Sequence, residues 1–183
     1  MEAPERDTTK IELETIADLD LVANNIESNF KIEHLLDMHN SQAKLNHDKL
    51  EKLEEVLKPL VQKGNDYRKK IVENSTENNQ YLKDLENLSD EELAMVGFLS
   101  LFEKEMENKK RMKVAGNIDG GRIMSCLSIA TGYSSIKAVL DVSGLMSART
   151  LIAAVKAIGK RYLGYIGVAI LVYSFADCMG AFE

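Results

Sequence analysis

The run from Tyr162 to Ala176, YLGYIGVAILVYSFA, carries no charged side chain. It restricts the fold more than any other feature of this sequence. A helix so uniformly apolar has three resting places: lipid, the centre of a helical bundle, or first one and then the other. Fifteen uncharged residues are fewer than the roughly 20 that a helix needs to cross a bilayer core. Extending the run to Phe182 supplies the length but includes Asp177. An acidic side chain costs roughly 2.5–3.5 kcal/mol at the centre of an inserted helix, and less near its end.

Lys156, Lys160 and Arg161 stand just before the run. The positive-inside tendency places that end on the cytoplasmic side, so segment 162–182 reads as a candidate membrane span at the end of a cytoplasmic protein. In that reading Ile166, Val168, Ile170, Leu171, Val172 and Phe175 contact lipid. Lys156, Lys160 and Arg161 then meet anionic head groups, each adding about 1 kcal/mol near such a surface. The competing reading buries the same helix permanently inside a soluble interaction bundle. A third conceals an apolar hairpin, residues 123–158 and 162–182, that later enters a membrane, as helical pore-forming proteins do in outline.

Charge divides the chain into two materials. Residues 1–121 carry a net charge of -9 and residues 122–183 a net of +3. Nine of the eleven glycines lie at or after Gly116. Three regions follow: a charged amphipathic part over 1–115, a glycine-rich turn over 116–121, and apolar helices rich in small residues over 122–183. Two prolines and abundant Leu, Glu, Lys and Ala favour an all-α helix bundle. The overall charge of -6 leaves no cation surplus to replace phosphate counterions, which argues against nucleic acid as a partner. The acidic start, MEAPERDTTK, has no apolar run of the kind a signal peptide needs.

The front reads as a series of seams. Thr9 and Glu12 form a capping box for a first helix. Ile16, Leu19, Ala23, Ile26 and Phe30 recur at three and four residues along one face. A second frame runs Leu36, His39, Ala43, Asn46, Leu50, Leu53, Leu57 and Leu60, out of phase with the first. The change of phase predicts a break near DMHNSQ, with Asn40 or Ser41 capping the next helix. Leu50, Leu53, Leu57 and Leu60 are the expected helix-pairing residues, toward a second copy or another helical protein. Pro59 should kink that helix and Gly64-Asn65 should end it. A further seam of Ile71, Asn74, Asn78, Tyr81, Leu85 and Leu88 follows. Ser89 and Glu92 then box a helix whose wide apolar arc, Leu93 to Met106, should meet more than one neighbour.

Sites of reaction chemistry do not emerge. His34, His39 and His47 share no i,i+4 pair of the kind a helical zinc site uses. In GNIDGGRI, Gly116 to Gly121 imitate a phosphate loop, but Arg122 and Ile123 occupy the positions that need lysine and a hydroxyl. Gly121, Arg122 and Ile123 also resemble part of the first homology motif of the Bcl-2 family. The tryptophan that precedes it there is absent, no other motif of that family follows, and no residue role is carried over. The simpler expectation is a helix start capped by Asp119. Cys126 and Cys178 are expected as reduced, packed thiols. The sequence thus predicts a non-enzymatic protein without metal or cofactor, which associates with membrane lipid through its C-terminal helices and with itself or a helical partner through its front.

Overall fold

Nine α-helices and one short 3-10 turn carry most of the described residues, 12–76, 80–112, 120–133, 136–140, 146–162 and 164–183, in this computed structural model. No strand occurs among them, and the helices pack on one another as an all-α bundle. The capping box expected at Thr9 and the cap at Asp119 lie outside the described residues. The 3-10 turn at Ile16–Asp18 is capped instead at Thr15, with Asp18 reaching back to it. The Asp18 carboxylate accepts the backbone N–H groups of Glu14 and Thr15, both at 2.7 Å, and the Thr15 hydroxyl at 3.2 Å.

Helix α1, Leu19–Phe30, is laid down by the first seam. Ile16, Leu19, Ala23, Ile26 and Phe30 are all buried. The chain then turns at Lys31, which adopts φ +58°, and starts α2, Ile32–Asn40. Nothing in the apolar spacing announces that turn. The break expected in DMHNSQ does occur, but the next cap is Asn46, whose side chain accepts the Lys49 N–H at 2.9 Å.

Helix α3 runs from His47 to Asn74 and does not end at Pro59 or Gly64. The predicted stop at Gly64-Asn65 is therefore corrected, and the reason is packing. A Cβ at Gly64 would lie 1.8 Å from the Leu93 carbonyl oxygen, and one at Gly97 would lie 2.0 Å from the Leu60 carbonyl oxygen. The two glycines face each other where α3 crosses α5, Asp90–Met112, and they let the backbones touch. This is the most extensive helix contact among the described residues. The seam from Ile71 to Leu88 is likewise interrupted: α3 ends at Asn74, and α4 covers Gln80–Glu86. Asn78 lies outside the described residues.

Helix α5 starts as its sequence predicts. Ser89 N–H donates to Glu92 at 2.9 Å, and Glu92 N–H donates to the Ser89 hydroxyl at 3.3 Å. Every residue from Leu93 to Glu103 is buried, because α5 meets α3 on one side and α7, α8 and α9 on others. One buried polar junction interrupts this apolar stretch. The Tyr67 hydroxyl donates to the Glu103 carboxylate and accepts the Met146 N–H at 3.1 Å. Burial pushes the Glu103 carboxyl above its ordinary range, against the Tyr67 hydrogen bond, which lowers it.

The back contributes α6, Gly120–Thr131; α7, Ile136–Leu140; α8, Ala148–Gly159; and α9, Gly164–Met179. Helix α9 lies in contact with α1, α2, α3, α5 and α6. Front and back thus share one apolar core.

Candidate functional site

The C-terminal pair of helices carries the chemistry that the sequence singled out. Ser147 caps α8, its hydroxyl accepting the Thr150 N–H at 3.2 Å. Leu151, Ile152, Val155 and Ile158 then face the core, while Arg149, Ala153 and Lys156 are exposed. The exposed side leans on α4. Lys156 Nζ lies 4.0 Å from the Asp84 carboxylate, and the Arg149 guanidinium lies over the Tyr81 ring at 6.0 Å. Lys160 and Arg161 are exposed at the end of α8.

Between the helices the chain makes a clasped knee. Tyr162 is buried and donates its hydroxyl to the Ala130 carbonyl at 2.5 Å. The Arg161 guanidinium lies 5.3 Å from the centre of the Tyr162 ring and reaches Gly132, whose φ of +64° favours a residue without Cβ. The Arg161 carbonyl faces His39 Nε2 at 3.0 Å, so the proton of that bond sits on Nε2. Elements α2, α6 and the knee are joined through these contacts. The axes of α8 and α9 stand at 96° across it.

The six residues expected to meet lipid lie along α9. Val168, Leu171 and Val172 are fully covered, Ile170 and Phe175 nearly so, and Ile166 is half-buried. Phe175 packs edge-on against Phe98 and Phe102, with ring centres 6.0 and 4.7 Å away. In this conformation the apolar surface of α9 is therefore turned to the protein's own helices. No single helix among the described residues is long and apolar enough to cross a membrane, whereas α8 and α9 taken together as a bent pair meet that requirement.

The expected helix-pairing residues fall in two environments. Leu53, Leu57 and Leu60 are fully buried in the core, and Leu50, one turn earlier, is 37 % exposed. A partner helix on that seam would first have to displace the chain's own helices.

Two features were missed by the reading of the sequence. The first is the Tyr67–Glu103–Met146 junction, for which no spacing signal exists because its members are far apart in the chain. The second is a disulfide. Cys126 on α6 and Cys178 in the last turn of α9 are bonded, their Cα atoms 5.6 Å apart. The expectation of two reduced thiols is corrected: α6 and α9 run against each other and bring the two side chains within bonding reach. The bond closes a loop over a separation of 52 residues, which the chain-entropy relation values at about 4 kcal/mol.

The histidines do not assemble. His39 is committed to the knee, and His47 lies beside Glu51 on the exposed start of α3 at 3.9 Å. No group of three metal-ligating side chains occurs among the described residues. In comparisons with known proteins, the chain matches no family, no curated protein and no solved structure.

Proposed function

We propose that this chain is a non-enzymatic helical protein that stores an apolar α8–α9 unit inside its bundle and delivers it to membrane lipid. The observation that carries the reading is the environment of α9. Its uncharged length is covered by amphipathic helices, and the helix before it ends in a cluster of cations. At roughly 1.5 Å per residue, α9 alone is about 24 Å long, against about 30 Å of bilayer hydrocarbon. Extended over 162–182 as one helix, the segment reaches about 31 Å and leaves Lys156, Lys160 and Arg161 outside the hydrocarbon. Lys156, Lys160 and Arg161 are already at the surface, where anionic head groups attract them before any helix moves. The bulk of the chain then remains with those cations on the cytoplasmic side.

The enclosure of α9 also favours a second reading, in which that helix is a permanent core and the exposed faces bind a helical partner. Fluorescence separates the two. The chain contains no tryptophan, so Tyr173→Trp on α9 reports alone. Titration with vesicles of phosphatidylglycerol and phosphatidylcholine, with and without reductant, should raise and blue-shift its emission. Brominated acyl chains should then quench it. Reversing Lys156, Lys160 and Arg161 to glutamate should weaken the binding. Emission unchanged by lipid in either redox state, with all protein left in the supernatant, discards the membrane reading in favour of the permanent core.

A further inference from the structure

On the basis of that membrane reading, we infer that the Cys126–Cys178 bond is a redox latch which keeps α9 in the bundle. The argument is geometric. Cys178 lies in the last turn of α9, some fourteen residues and about 21 Å beyond its start at Gly164. Cys126 lies on α6, which flanks α9. With the bond closed, the far end of α9 cannot leave α6 by more than the reach of two side chains. A spanning arrangement, with the end of α9 on the far side and α6 on the near side, is then forbidden. With the bond open, only noncovalent packing holds that end.

The two sulfurs are unequally placed. Cys126 is 2 % exposed, whereas Cys178 is half-buried at the rim. Arg122 donates to the Cys178 carbonyl at 3.3 Å, which ties the start of α6 to the end of α9 beside the bond. A dithiol reductant opens the latch in two exchanges. Its thiolate attacks Sγ of Cys178, the sulfur–sulfur bond breaks, and Cys126 departs as a thiolate that takes a proton. The reductant's second thiolate then displaces Cys178, which is protonated in turn. The protein gains two electrons and two protons, and the dithiol becomes a disulfide. Such a bond persists in an oxidising compartment and is opened in a reducing one.

Hydrogen exchange of the α9 amides tests this without lipid. Full-length oxidised protein is compared with protein reduced by dithiothreitol, and with the same sample after re-oxidation. Loop-closure entropy sets the expectation: reduction should speed α9 exchange on the order of 10²–10³-fold, and re-oxidation should restore protection. A Cys126→Ser, Cys178→Ser double variant should exchange like the reduced protein without reductant. Equal α9 exchange in both redox states overturns the latch, and so does the alkylation of two free thiols in protein that has never been reduced. The vesicle titration is read separately. If reduction frees α9 yet neither redox state binds vesicles, the latch stands and the membrane reading falls.

Discussion

The crossing of α3 with α5 and the enclosure of α9 solve the same problem, burying apolar surface, by opposite means. At the crossing, two backbones touch through Gly64 and Gly97, and α3 keeps a wet, charged side. Around α9 the contact is made by side chains such as Val168, Leu171 and Phe175, and five helices supply the cover. The wet side of α3 ties it to water, so its apolar stripe has one destination. A helix with no charged side over fifteen residues has no such tie. Its place in the bundle is set by the shell around it rather than by its own pattern, and a shell can be exchanged for lipid.

That contrast predicts unequal sensitivity to substitution. The largest effect should come from placing a charge inside the shell. Leu171→Lys leaves an unpaired cation in a fully covered site, which costs several kcal/mol. Denaturant titration should show loss of the cooperative transition. If Leu171→Lys folds with near wild-type stability, the enclosure of α9 is wrong. Phe175→Ala should follow, at about 3–5 kcal/mol, because it removes the ring shared by Phe98 and Phe102.

The crossing should break next. Gly64→Ala and Gly97→Ala each drive a methyl into a backbone carbonyl, and overpacking of this kind costs typically 1–3 kcal/mol. Both substitutions wedge the same contact, so the double variant should lose less than the sum of the two. Full additivity in equilibrium unfolding would show that the glycines act independently and that no shared crossing exists. Neither change alters an α9 side chain, so vesicle binding by protein that remains folded should be less affected than by substitutions within α9.

Much of this architecture was legible. The seam through Ile16, Leu19, Ala23, Ile26 and Phe30 and the box at Ser89 and Glu92 specify helices whose buried faces and starts appear in the fold. Local signals sufficed there because the determinants lie within a few residues of one another. Gly64 misled for the complementary reason. Read locally, Gly-Asn ends a helix, but the fold uses the glycine for a neighbour some thirty residues away. Cys126 and Cys178 are separated by still more chain, and nothing in their surroundings says that α6 and α9 adjoin. The lipid candidates on α9 were recognised as apolar, while the helices that cover them were not foreseeable from that segment.

A subtler difference between the two regions concerns pH. The crossing region contains Glu103, the one buried charged residue among those described, and α9 contains none in its uncharged run. Because the folded state raises the Glu103 pKa, the native protein holds that proton more tightly than the unfolded chain. Its contribution is fully present below the ordinary glutamate value near 4.5 and is lost as pH rises through the raised folded value. Glu103→Gln keeps an acceptor for the Tyr67 hydroxyl and removes the titration. Its stability should therefore decline less than that of the wild type as pH rises from 4.5 towards neutrality, and α9 exchange should follow the same trend only if Glu103 couples to the shell through Met146. Parallel pH profiles in the two proteins would place the carboxyl in water. A change in α3 and α5 protection without any in α9 would show that the crossing and the enclosure open as separate units.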